Sequence, residues 1–149
     1  MIGQHLKLFE SLNKKNVEYL LIGGTLAIAY GVPRVTKDID LFLNPTLENA
    51  TRLLSSLQEL GMETAALTNP EDICSTEITI FKDFVRLDVL TKVKGLEFSE
   101  VWQNKVYLSL DKVMIPALSI EDLIKAKRAS GRPEDLEDIK ILEMAKQQT

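Results

Sequence analysis

The sequence predicts an α/β fold, a short mixed β-sheet flanked by helices, with a helical pair at its C-terminal end. Three observations carry this: a strand, Gly-Gly and helix step at residues 17–30, an Asp-x-Asp strand at 38–43, and two closely spaced helical patterns over the last thirty residues. The 149 residues are about one domain's length. They are read as a single unit, residues 1–149, with the sheet and its helices over about 1–116 and the helical pair over about 117–149.

Ile2, Leu6, Phe9 and Leu12 recur at helical spacing and predict an amphipathic helix over 3–15. Val17 to Ile22 reads as a buried strand stopped by Gly23-Gly24, after which Thr25 is expected to cap a helix over Leu26 to Tyr30 that ends at Gly31. In Asp38 to Leu43 the apolar Ile39, Leu41 and Leu43 alternate with Asp38, Asp40 and Phe42, the period of a strand, which puts both carboxylates on one face. Asn44-Pro45 breaks it. Thr46 then starts a helix over 47–60, closed at Gly61, whose apolar face is Leu47, Leu53, Leu54, Leu57 and Leu60.

Residues 62–76 show a turn at Asn69-Pro70 and little periodicity. Glu77 to Phe81 and Phe84 to Leu90 read as paired strands; in the second, Val85, Leu87 and Val89 share one face and Arg86 and Asp88 the other. A short helix at Ser99 to Asn104 and a hairpin of Val106 to Leu110 with Val113 to Ile115 follow. Ser119 and Asp122 resemble a capping box for a helix that runs to Ser130 and ends at Gly131. Pro133 opens the last helix, 134–147, with Leu136, Ile139, Ile141, Leu142 and Ala145 available for packing.

With 45% hydrophobic and 27% charged residues the composition is that of an ordinary globular chain and excludes disordered, collagen-like and disulfide-rich classes. Eighteen basic against 22 acidic residues give a net charge of −4, which argues against a strong nonspecific nucleic-acid binder while leaving room for a local basic patch. One cysteine, Cys74, and one histidine, His5, leave no internal disulfide and no structural zinc site. Cys74 reads as a small hydrophobe and His5 as a surface residue. The longest uncharged stretch, Tyr19 to Pro33, is too short and too broken for a membrane span, and no signal peptide is visible, so a cytoplasmic location with no membrane partner is expected.

The chemistry-bearing residues fall in order along the chain. Two carboxylates at strand spacing, Asp38 and Asp40, can hold a hard cation, and a third, Asp88, on a neighbouring strand would complete a site for one or two Mg²⁺ ions. Gly23 and Gly24 let a phosphate approach backbone N–H groups, with the Thr25 hydroxyl beside them.

This ordered set, Leu20-Leu21-Ile22-Gly23-Gly24-Thr25, then Asp38-Ile39-Asp40-Leu41, then Leu87-Asp88-Val89, resembles the nucleotidyltransferase superfamily related to DNA polymerase beta. The stretch from Gly23 to Leu41, with Arg34 and Thr36, is similar to the branch holding abortive-infection and toxin–antitoxin nucleotidyltransferases. So is Asp122-Leu123-Ile124-x-x-Lys127 with Gly131-Arg132-Pro133-x-Asp135-Leu136-x-Asp138.

The resemblance implies a minimal nucleotidyltransferase fold and Mg²⁺-dependent transfer of a nucleoside monophosphate from an NTP such as ATP, releasing pyrophosphate. Asp38, Asp40 and Asp88 would bind metal, with Asp88 a possible base. Gly23, Gly24 and Thr25 would line the triphosphate, and Lys127, Arg132, Arg34 and Lys37 would neutralise phosphate charge. The acceptor would be an RNA such as tRNA, a protein hydroxyl or a small molecule, and a cognate antitoxin would be a partner. Many active relatives carry Ser where this chain has Gly24, and Lys where it has Glu134; the alternative is a non-catalytic binding or regulatory module of the same fold.

Overall fold

The computed structural model describes residues 2–148. The first helix, α1 (Ile2–Lys14), buries Leu8, Phe9 and Leu12; the side chain of Ile2, read as part of that stripe, lies outside the described ones. Then follow β1 (Tyr19–Ile22), α2 (Gly23–Ala29), β2 (Asp38–Leu43) and α3 (Leu47–Glu59). A 3-10 helix over Glu63–Leu67 and α4 (Pro70–Ser75) fill the stretch without clear periodicity. Beyond them come β3 (Ile78–Lys82), β4 (Arg86–Leu90), α5 (Phe98–Gln103), β5 (Val106–Leu110), β6 (Val113–Ala117), α6 (Ile120–Ser130) and α7 (Pro133–Gln147).

Several ends are set by the expected caps. The Thr46 side chain accepts from the Asn49 N–H, Ser119 accepts from the Asp122 N–H, and Gly131 closes α6 in the left-handed conformation at φ +67°. One expectation fails here. The helix after β1 starts at Gly23, two residues before Thr25, and has no side-chain cap; the Thr25 hydroxyl donates instead to the Asp38 carbonyl at 2.8 Å. Leu47 and Leu136, expected in apolar faces, are about half exposed because each lies off the buried stripe of its helix. His5 is half-buried rather than at the surface.

The six strands form one mixed sheet in the order β3-β4-β2-β1-β6-β5. β1 and β2 run antiparallel with Ile22 opposite Asp40; β2 and β4 run parallel with Asp40 opposite Asp88; β3 and β4 form the antiparallel hairpin read from the sequence. A row Ile80, Asp88, Asp40, Ile22 therefore crosses the sheet. Ile39, Leu41, Leu87 and Val89 point to the other face and are buried in the hydrophobic core.

On the carboxylate face, Phe42 packs edge-on against Phe98, which stacks on Trp102, so the far end of β2 is covered while its Asp end stays open. Asn49, fully buried at the start of α3, accepts from the Glu18 N–H at 2.8 Å and donates to the carbonyls of Glu18 and Asn44, both at 2.9 Å. That satisfied amide fixes α3 to the chain ends flanking β1 and β2. No described helix is long and apolar enough to cross a membrane.

Candidate active site

The site starts from a steric requirement at one glycine. Gly23 has φ +75°, and a Cβ added there would lie 2.1 Å from Oδ2 of Asp40 and 2.8 Å from its Cγ. Only a residue without a side chain leaves that carboxylate its place. The Gly24 N–H donates a hydrogen bond to the Asp40 carboxylate, and the Thr25 hydroxyl holds the Asp38 backbone. The Gly-Gly-Thr step thus acts as a bracket on β2.

Across the sheet, the parallel register sets Asp40 beside Asp88 in strands about 4.8 Å apart. Two carboxylates at that spacing repel, and Asp40 is pushed up to about 6, first by burial and then by the charges of Asp88 and Asp38; the Gly24 N–H and Arg86 oppose the shift. Arg86, opposite Asp38 in the register, places its Nε 3.1 Å from Oδ1 of Asp88 and 3.8 Å from Oδ2 of Asp38. Its guanidinium thus sits against Asp88 and near Asp38, and its charge also reaches Asp40.

All three side chains offer the hard oxygen donors that Mg²⁺ takes, and the raised Asp40 marks negative charge that a cation would relieve. Among the described residues no three metal-binding side chains converge as they stand, since Asp38 and Asp88 face the guanidinium. Arg86, whose guanidinium faces two of these carboxylates, is 39% exposed.

Beside Gly23 opens a cavity of about 370 Å³, walled by Ile22, Leu90, Val93, Leu118 and Leu123. Lys92, Lys94, Lys127 and Arg132 bring cations to it. The sequence picked out the last two, and the structure adds what they touch. Lys127, only 11% exposed, places Nζ 3.0 Å from Asp138 and 3.5 Å from Asp135. Arg132 reaches Asp135 at 2.9 Å, and Arg34, from the loop before β2, reaches Asp138 at 2.9 Å. Asp135 and Asp138 are 2% and 1% exposed, so three cations share two buried carboxylates. Lys37 stays exposed, with no ion pair among the described residues.

Sequence reasoning missed the centre of this cluster. Asp135 and Asp138 lie in the first turns of α7, where acidic residues are favoured by the helix dipole alone, and that ordinary explanation hid them. The available signal was their spacing: i and i+3 put both on the helix face that meets α6. Burial pushes the Asp135 carboxyl up, but hydrogen bonds from Arg132 and Ser130 and the charge of Lys127 outweigh it and hold the carboxyl below its ordinary range.

A mixed sheet carrying Asp38, Asp40 and Asp88 beside a Gly-Gly turn, closed by two helices, is the architecture of the nucleotidyltransferase fold. The chain belongs to the family described as nucleotidyl transferase of unknown function (DUF2204), whose model matches residues 3–149. Its fold is shared by a candidate nucleotidyltransferase from Thermotoga maritima, at 19% identity and a TM-score of 0.56 over 90% of this chain and 86% of that one. It is shared too by an antigenic nucleotidyltransferase-like protein from Paracoccidioides brasiliensis, at 18% identity and a TM-score of 0.56 over 92% of this chain and 74% of that one. Among curated proteins none matches the chain.

Proposed function

We propose that this protein is a Mg²⁺-dependent nucleotidyltransferase, moving a nucleoside monophosphate from an NTP to an acceptor hydroxyl with release of pyrophosphate. The observation that supports the reading best is the register pairing of Asp40 with Asp88, next to Asp38 and one glycine away from a cavity of about 370 Å³. Asp38, Asp40 and Asp88 would hold the metal. When bound, Mg²⁺ would neutralise charge on the phosphates and lower the pKa of an acceptor hydroxyl.

The remaining work falls to the chain itself. Gly23 and the Gly24 N–H orient Asp40, and the hydrogen bond from Thr25 to the Asp38 carbonyl keeps the two aspartates of β2 in register with Asp88. Asp88, once its salt bridge to Arg86 opens, is free to accept a proton from the incoming hydroxyl. Ile80, half exposed and opposite Asp88 in β3, extends the same face toward the sheet edge and offers an apolar shelf for the acceptor. That acceptor is an RNA such as tRNA, a protein hydroxyl or a small molecule.

One observation favours a second reading, a non-catalytic module that binds nucleotide without metal: Arg86 stands where it already balances Asp38 and Asp88. Calorimetric titration of NTPs with and without Mg²⁺ separates the two. The transferase reading predicts that Mg²⁺ strengthens NTP binding and that Asp40→Asn removes the Mg²⁺ effect. Equal binding with and without Mg²⁺ would favour the module.

A further inference from the structure

We propose that Lys92 and Lys94, on the loop that follows β4, bind the phosphates of the nucleotide in the cavity beside Asp40, the role the sequence suggests for Lys127 and Arg132. The inference rests on the nucleotide-transfer reading and names the cations that serve it. It begins from which cations are already engaged. Lys127 is buried between Asp135 and Asp138, and Arg34 and Arg132 each hold one of those carboxylates at 2.9 Å. A phosphate drawing any of them away would strip a carboxylate that is 1–2% exposed of one of its two cationic partners, which is unfavourable.

Lys92 and Lys94 carry no such obligation. Lys94 is exposed and makes no ion pair among the described residues. Among the described residues Lys92 pairs only with Glu77, at 4.0 Å with both side chains about three-quarters exposed, a contact of little strength. Both line the cavity that Gly23, the residue packed against Asp40, also lines.

Their loop is also fixed in place. Gly95 has φ +87° and packs so closely that a Cβ there would lie 2.8 Å from the Cβ of Ala129 on α6. The Leu96 N–H closes the turn on the Val93 carbonyl at 3.1 Å, and Val93 packs against the core between the two lysines. The loop therefore presents two ammonium groups from a held backbone to a cavity with apolar walls at Ile22, Leu90, Leu118 and Leu123 and the engaged Lys127–Asp135–Arg132 cluster at its edge. That matches a ligand with an apolar base and a polyanionic tail.

The test measures binding of each of the four NTPs with Mg²⁺ by calorimetry, then of the nucleoside and monophosphate of the tightest binder. For Lys92→Ala/Lys94→Ala the expected result is a loss of about tenfold or more for the triphosphate, a smaller loss for the monophosphate, and none for the nucleoside. Both residues are exposed, so the circular dichroism of the variant should match wild type. Lys92→Arg/Lys94→Arg should retain most of the affinity. Unchanged triphosphate binding in the alanine variant, with a loss in Arg132→Ala instead, would overturn the inference and leave the transferase reading standing. A wild-type protein that binds no nucleotide would overturn the transferase reading and this inference with it.

Discussion

Asp40 is held above its ordinary range, first by burial and then by the charges of Asp88 and Asp38. Its folded pKa of about 6 lies above the ordinary 3.8, so between those values the folded state holds a proton that the unfolded chain has lost, and stability falls as pH rises through the window. Above pH 6 the full cost is present. Asp40→Asn should therefore raise stability at pH 7.5 by about 1–2 kcal/mol, discounted for partial exposure, and should give no gain at pH 3.5. Thermal melts of both proteins at the two pH values check this; equal melting at pH 7.5 would mean that burial and the charges of Asp88 and Asp38 do not hold Asp40 above its ordinary range. Gly23→Ala should have the opposite sign, losing about 1–2 kcal/mol from the left-handed backbone alone and more from collision with the Asp40 carboxylate, measured by chemical denaturation.

The carboxylates were legible in the sequence because a strand has a period of two: Asp38 and Asp40 had to share a face. The part played by Thr25 was not, since a hydroxyl near a helix start reads as a cap, and only the structure shows it turned toward the Asp38 carbonyl.

Elements meet at the buried ion cluster. Asp138 joins the loop before β2, through Arg34, to the α6–α7 pair, through Lys127. Asp138→Ala should cost on the order of 3 kcal/mol, because Arg34 loses its partner and Lys127 one of its two carboxylates. Hydrogen exchange should show the loss concentrated in α6, α7 and residues 30–37. Protection that falls evenly across the chain would argue against the cluster as the joint between these parts. Asp135 adds an acid dependence: its carboxyl is held below the ordinary range, so its contribution is full above pH 3.8 and lost as pH falls through the lower folded value.

Helix ends with strong caps were readable, as Thr46, Ser119 and Gly131 show. The missed helix α4 had its own signal in Asn69-Pro70-Glu71-Asp72: an Asn cap, proline at the first position and acids in the first turn. Read as a turn, Asn69-Pro70 concealed it, because an Asn-Pro step serves both purposes and a six-residue helix has too few turns to show periodicity.

At the scale of the whole molecule, the mixed sheet was expected but its strand order was not. Local patterns set each strand and the hairpin of β3 and β4, whereas the parallel pairing of β2 with β4 joins segments separated by two α-helices, a 3-10 helix and another strand. That pairing is nonetheless what makes the site, since it alone brings Asp88 beside Asp40. The C-terminal pair was legible as helices and illegible as an electrostatic unit for the same reason: contacts across α6 and α7 depend on packing, which periodicity does not report.

The central claim is that these three aspartates serve nucleotidyl transfer. The direct measurement is incubation of the protein with each α-labelled NTP, Mg²⁺ and a mixture of cellular RNA, protein and small molecules, alongside Asp38→Asn and Asp88→Asn. Label is expected in one acceptor fraction with wild type and in none with either variant. Label transferred equally by a variant would contradict the assignment of these carboxylates, and no transfer by wild type with any nucleotide or acceptor would contradict the claim itself.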